Sequence, residues 1–119
     1  MSRRIVLIDD EAELRAATAQ GLELADFDVT AFDSGEDALS LLSRTFDGIV
    51  ISDIKMPRMS GLELMSRVLA VDPEIPVILI TGHGDIPMAV AAIRSGAYDF
   101  IEKPFAAETL ADAAGRALE

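Results

Sequence analysis

An α/β fold, with a parallel sheet carrying helices on both faces, follows from three features of the 119-residue sequence. Five short runs rich in Val and Ile alternate with five segments whose apolar residues repeat at helical spacing. The first, third and fourth runs are continuously apolar, the pattern of parallel strands covered on both sides. Turn and cap residues fall at the joints, and repeats of strand, helix and strand close with right-handed crossovers.

The strand runs are Ile5-Val6-Leu7-Ile8, Val29-Thr30-Ala31-Phe32, Ile49-Val50-Ile51, Val77-Ile78-Leu79-Ile80 and a weaker Tyr98 to Ile101. After the first, Leu14, Ala17, Thr18, Gly21, Leu22 and Ala25 fall on one helical stripe. The second helix is predicted from Ala38, Leu41 and Leu42, the third from Leu62, Met65, Val68 and Leu69, and the fourth from Ala89, Val90, Ile93 and Ala97. Ser60-Gly61-Leu62-Glu63 reads as a capping box opening the third helix, in which side chain and backbone satisfy each other's free donors. Pro73 and Pro76 close that helix, because the residue before a proline is pushed out of helical backbone. Asp85 is placed to cap the fourth helix, with Pro87 inside its first turn, where a missing N–H is harmless. The last helix carries Leu110, Ala113, Ala114, Ala117 and Leu118. Its stripe runs to Glu119 without a Gly, Asn or Pro stop, so residues 1–119 are expected to be one domain at the front of a longer protein.

Composition narrows the function. The chain is 50% hydrophobic and 26% charged, too apolar for a disordered tail. Ten Lys and Arg face 21 Asp and Glu, a net charge of -11 that repels DNA, RNA and anionic lipid. The absence of cysteine excludes disulfides, thiolate metal sites and thiol catalysis. The apolar run after Arg4 is only Ile5 to Ile8, too short for a signal peptide or a membrane span. A cytoplasmic protein is expected.

In open sheets of this kind, ligands bind beyond the carboxyl ends of the strands. The first strand ends in Asp9-Asp10, the third in Asp53, the fourth in Thr81-Gly82, and the fifth is followed by Lys103-Pro104. Taken singly, an Asp after a strand is usually a turn or cap residue, and a lysine before proline is usually solvated. Together they bring three carboxylates, a hydroxyl and an ammonium to one edge. Three close carboxylates repel, so one holds a proton or a cation sits among them. An oxygen-only donor set suits Mg²⁺. With phosphate charge neutralised by metal and lysine, a carboxylate there can act as a nucleophile and form an aspartyl phosphate. Asp53, at the end of the central strand, is the candidate.

Four ordered motifs carry a resemblance that covers essentially the whole chain. They are Val6-Leu7-Ile8-Asp9-Asp10-Glu11, Ile51-Ser52-Asp53-Ile54-Lys55-Met56-Pro57 with Ser60-Gly61, the pair Thr81-Gly82, and Gly96-Ala97-Tyr98-Asp99-Phe100-Ile101-Glu102-Lys103-Pro104-Phe105. The sequence resembles the receiver domain of two-component response regulators. That resemblance implies a flavodoxin-like (βα)5 fold with strand order 2-1-3-4-5. It implies that Asp53 accepts a phosphoryl group from a sensor histidine kinase. Asp10 and Asp53 are implied as Mg²⁺ ligands, with the backbone carbonyl of Lys55, and with Asp9 acting through water. Lys103 is implied to bind the phosphoryl group, and a cis bond is implied before Pro104. Thr81 and Phe100 are implied as the switch, Thr81 moving to the phosphoryl group and Phe100 into the space vacated. Family members often carry Tyr at the position of Phe100, so signalling here falls to burial of the ring. The domain itself is a signalling module, catalysing no more than its own phosphotransfer and autodephosphorylation, with a homodimer expected through the fourth helix, fifth strand and fifth helix.

A narrower likeness lies in Gly48 to Asp53 and in Thr81-Gly82-His83-Gly84-Asp85-Ile86-Pro87-Met88-Ala89-Val90. These are similar to receivers of sigma-54-dependent activators, especially regulators of C4-dicarboxylate transport, which implies an AAA+ ATPase and a helix-turn-helix after Glu119. Some nitrogen-fixation regulators, with a different DNA-binding output, share the second loop, and a stand-alone interaction module is a further alternative. A phosphohydrolase with an aspartate nucleophile needs a second acid where Lys55 stands. A flavin carrier needs a hydroxyl- and Gly-rich loop after the first strand, and no P-loop is present. His83, the single histidine, has no partner ligand nearby in sequence and is read as a loop residue. Met56 and Met59, beside Asp53, are expected at an interface.

Overall fold

The computed structural model describes residues 3–82 and 85–119; His83 and Gly84 lie outside the described residues. The strands are β1 (Arg4–Ile8), β2 (Asp28–Phe32), β3 (Ile49–Asp53), β4 (Val77–Thr81) and β5 (Asp99–Glu102). The helices are α1 (Ala12–Leu24), α2 (Gly35–Leu39), α3 (Gly61–Val71), α4 (Ile86–Arg94) and α5 (Ala107–Ala117). All strands are parallel, in the order β2-β1-β3-β4-β5.

Because successive strand residues point to opposite faces, each central strand feeds two cores. Val6, Ile8, Val50, Val77 and Leu79 face Ala38 of α2, Leu64, Met65 and Val68 of α3, and Ala92 of α4. Ile5, Leu7, Ile49, Ile51, Ile78 and Ile80 face Leu22 of α1 and Leu110, Ala113, Ala114 and Ala117 of α5. The continuous apolar runs are thus buried on both sides, whereas edge strand β2 is largely exposed.

Helix ends follow the expected chemistry at α3. Ser60 Oγ accepts the backbone N–H of Glu63 at 3.2 Å. The other half of the capping box is replaced, since the Glu63 carboxylate takes a 3.0 Å bond from Arg67. Helix α4 ends in a Schellman motif, with Ala97 N–H donating to the Ala92 carbonyl and Gly96 N–H to that of Ile93. Gly96 sits there at φ +118, which only glycine adopts easily.

Several side chains depart from the periodicity reading. In α4 the sheet takes Ala89 and Ala92, while Ile86, Val90 and Ile93 face outward, so Val90 and Ile93 are not core residues. In α3 the fully buried Leu64 joins Met65 and Val68, and Leu62 and Leu69 pack only at the margin. Helix α2 stops at Leu39, where the Ser40 hydroxyl donates to the Asp37 carbonyl; Leu41 is exposed and Leu42 reaches the core from the turn. Helix α5 ends at Ala117, two residues before Glu119. Met59 is buried rather than at an interface, because Gly35 leaves room for its sulfur: a Cβ there would stand 3.0 Å from it.

Candidate functional site

The sheet edge assembles as topology requires. Asp53 closes β3, and its neighbour Ile54 donates its N–H to the Ile80 carbonyl of β4. Asp9 follows β1 directly and is held by its N–H on the Phe32 carbonyl at 3.1 Å. Its carboxylate accepts the Glu11 N–H at 2.9 Å, and Arg15 of α1 donates to its carbonyl at 2.8 Å. Carboxylate oxygens of Asp9, Asp10 and Asp53 lie within 4.8 Å of one another. Asp9 and Asp53 are buried and Asp10 is exposed, so the cluster has a closed floor and one open side.

Lys103 enters from the end of β5, two strands from β3 in the sheet. Its N–H donates to the Thr81 carbonyl at 2.8 Å, and its Nζ lies 2.9 Å from Asp53 Oδ2. The Lys103–Pro104 bond is cis, as the resemblance implies. Burial disfavours the ammonium, but the hydrogen bond and charge of Asp53 outweigh it and hold the Lys103 pKa above its ordinary value. Burial pushes the Asp9 carboxyl up; the Glu11 N–H opposes this, and the Asp53 charge adds to it.

Thr81 is fully buried at the end of β4, and among the described residues its hydroxyl makes only a long 3.4 Å contact with the Gly82 carbonyl. Phe100 pairs with Leu79 across β4 and β5 and is half-buried against the α3 and α4 core. Lys55 projects into solvent two residues after Asp53.

The structure therefore brings Asp9, Asp10, Asp53 and Lys103 into one cluster, with Thr81 adjoining through its backbone. Asp85 occupies the N-cap position of α4, yet its side chain makes no cap hydrogen bond and pairs with Lys55 instead. The reading of Asp85 as a helix cap is corrected: a cation from another loop competes for the carboxylate. Of two supporting residues, Arg15 carries no sequence signal, whereas Gly61 stands in the Ser60-Gly61 motif without its packing role being legible there. Arg15 acts on a backbone carbonyl, which no motif announces. Gly61 donates to the Ile54 carbonyl at 2.7 Å. A Cβ on Gly61 would collide with the Asp53 carbonyl oxygen and come within 2.8 Å of Ile54 Cα. The start of α3 can approach the end of β3 only because that atom is missing.

Parallel order 2-1-3-4-5, three convergent carboxylates and a lysine on the central one define a phosphate-signalling α/β module, and a family model described as the response regulator receiver domain matches residues 5–115. The chain belongs to the response regulator receiver domain family. Among curated relatives, it is 60% identical over 115 residues to the C4-dicarboxylate transport transcriptional regulatory protein DctD of Rhizobium meliloti (strain 1021), covering 97% of this chain and 25% of that protein. It is 44% identical over 101 residues to the transcriptional regulatory protein FixJ of Bradyrhizobium diazoefficiens, covering 85% of this chain and 49% of that one. A crystal structure of NtrX from Brucella abortus superposes with a TM-score of 0.92 at 39% identity, covering 99% of this chain and 27% of the other. The chain thus spans between about a quarter and a half of the length of these curated relatives. Among the described residues, no helix is long and apolar enough to cross a membrane.

Proposed function

We propose that Asp53 is the phosphoacceptor of this receiver and that a sensor histidine kinase is the donor. The observation that carries this reading is Lys103 Nζ at 2.9 Å from Asp53 Oδ2, inside a group of three carboxylates whose oxygens lie within 4.8 Å of one another. An Asp53 carboxylate oxygen attacks phosphorus as the P–N bond to the donor imidazole breaks, and the imidazole departs, taking up a proton. Lys103 stands where the phosphoryl oxygens arrive and neutralises part of their charge. Water attack on the same phosphorus, with the aspartate leaving, returns the resting state.

The donor set suits a hard divalent cation: oxygen atoms only, two carboxylates on a closed floor and Asp10 on the open side. Asp10, Asp53 and the Lys55 carbonyl are the Mg²⁺ ligands of this reading, with Asp9 acting through water. When bound, the ion offsets the charge of the three carboxylates and of the incoming phosphate.

Thr81 and Phe100 form the switch. Among the described residues the Thr81 hydroxyl has only a long contact with the Gly82 carbonyl, so turning toward a phosphoryl oxygen gives up little there, and the half-buried Phe100 ring can fill the space left behind. The output surface is α4, β5 and α5, where Ile86, Val90, Ile93 and Tyr98 are exposed together, and a homodimer forms through it. On this reading the domain is the N-terminal part of a cytoplasmic sigma-54-dependent activator; 60% identity to the C4-dicarboxylate regulator against 44% to FixJ supports that output over the nitrogen-fixation type.

Acetyl phosphate labelling tests the core of the reading. The parent takes up acid-labile phosphate only with Mg²⁺, and Asp53→Asn, which keeps the shape and removes the nucleophile, takes up none. Labelling that persists in Asp53→Asn defeats the assignment.

A further inference from the structure

A second ion pair links the loops that follow β3 and β4. Lys55 Nζ, on the loop between β3 and α3, lies 3.2 Å from Asp85 Oδ2, at the start of α4. An aspartate at an N-cap position normally has extended backbone and accepts an N–H from the second or third residue of its helix. Asp85 has φ -89 and ψ 33, and its carboxylate makes no such bond. Pro87 removes the N–H of the second helical position, so Met88 offers the remaining capping donor. A Cβ on Gly82 would stand 3.3 Å from Asp85 Oδ2, so the carboxylate lies back over the residue after Thr81. The start of α4 is thereby tied to the phosphoacceptor loop by charge, at the expense of its own cap.

We propose that the Lys55–Asp85 pair is a charge strap on α4 in the resting domain, and that a phosphoryl group on Asp53 competes with Asp85 for Lys55 and frees Asp85 to cap the helix. The proposal rests on Asp53 being the phosphoacceptor. Lys55 is two residues from Asp53, on a flexible four-carbon stem, and so can serve either anion. Its side chain is 70% exposed and that of Asp85 26%, which makes the pair weak enough to exchange. A phosphoryl group brings about two negative charges to Asp53, against the single charge of Asp85. The strap acts on the first turn of α4 and is separate from the route through Thr81 and Phe100, which acts through β4 and β5.

The test is beryllofluoride titration of the chain with saturating Mg²⁺, followed by backbone amide shifts in the parent, Asp85→Asn, Lys55→Gln and the double variant. Removing the competitor makes Asp85→Asn bind the mimic about two- to fivefold tighter, the range an exposed ion pair supports. Without Lys55 there is nothing to compete for, so Lys55→Gln shows no such gain and the double variant binds as Lys55→Gln does. In Lys55→Gln without mimic, the amides of Ile86, Met88, Ala89 and Val90 move toward their mimic-bound positions in the parent, because Asp85 is free to cap. Unchanged or weaker binding by Asp85→Asn overturns the competition, and unmoved amides in Lys55→Gln overturn the strap, in each case leaving the phosphoacceptor reading intact. A parent that binds no beryllofluoride overturns both.

Discussion

Replacing Asp9 with Asn keeps the shape of the side chain and an oxygen to accept the Glu11 N–H, now at 2.9 Å, but removes a buried charge. In the structure that charge faces two others within 4.8 Å, a separation at which like charges repel by about 3.5 kcal/mol at an effective dielectric of 20 and about 0.9 kcal/mol in water. Asp53 is buried and lies toward the first figure, Asp10 is exposed and lies toward the second, and the Lys103 ammonium subtracts from both. The net expectation is that Asp9→Asn stabilises the metal-free domain at pH 7 by about 1–3 kcal/mol, or roughly 4 °C in Tm for each kcal/mol. The pH dependence has a defined sign. Burial raises the Asp9 pKa above 3.8, so the folded domain holds that proton more tightly than the unfolded chain. Parental stability therefore falls as pH rises from about 3.8 through the raised value, and the advantage of Asp9→Asn opens over the same window. Added Mg²⁺ narrows the gap, because the ion stabilises the parent more than a variant lacking one of its three acids. Thermal denaturation in chelator and in Mg²⁺, from pH 3.5 to pH 7.5, decides the matter. A metal-free variant no more stable than the parent at neutral pH, or an advantage that does not change with pH, refutes the account.

Thr81→Ala still takes phosphate on Asp53, but amide shifts induced by beryllofluoride across α4 and β5 fall to less than half of their parental size; undiminished shifts there mean that Thr81 is only a strand residue. Ile93→Glu changes a side chain that already faces solvent, so its stability stays within about 0.5 kcal/mol of the parent's, while sedimentation shows that the dimer induced by the mimic is lost. A variant that dimerises like the parent moves the interface away from α4.

The legible parts of this molecule are those fixed by topology. Three central strands buried on both faces must be continuously apolar, and their carboxyl ends must share an edge, so Asp9, Asp10, Asp53 and Thr81 could be placed together without any contact being known. What periodicity misjudged depends on which of two acceptable faces a neighbour selects. Helix α4 offers Ala89 and Ala92 on one side and Ile86, Val90 and Ile93 on the other. The periodic stripe joins Ala89, Val90, Ile93 and Ala97; the sheet takes Ala89 and Ala97, adds Ala92 and leaves Val90 and Ile93 outside, since close packing there admits the methyls. Met59 was misread for a related reason: the space it fills is the missing side chain of Gly35, far away in sequence. Asp85 was misread because its N-cap position is local information, whereas Lys55, which claims the carboxylate, comes from another loop.

That choice of face has a mechanical consequence. Burying apolar groups contributes ~0.8 kcal/mol for each CH₂-sized increment and ~1.5–3 kcal/mol for a whole Val, Leu or Met side chain. Helix α3 is anchored by Leu64, Met65 and Val68, all essentially inaccessible to water. Helix α4 is anchored by two alanine methyls and by Met88, which packs only against the margin of the core. A displacement of α4 by a fraction of a turn therefore gives up far less burial than the same displacement of α3, and regions with little buried contact are the ones that open first. On the proposed reading, the signal that would leave Asp53 is a charge-sized perturbation delivered through single hydrogen bonds and ion pairs, of the order of a few kcal/mol. It is enough to move a helix held by methyls and a surface ion pair, and too small to dislodge one held by a leucine, a methionine and a valine. The fold thus holds the loop after Asp53 tightly on the α3 side, where Gly61 packs against Asp53 itself, and leaves its compliance on the α4 side, where Ile86, Val90 and Ile93 are exposed.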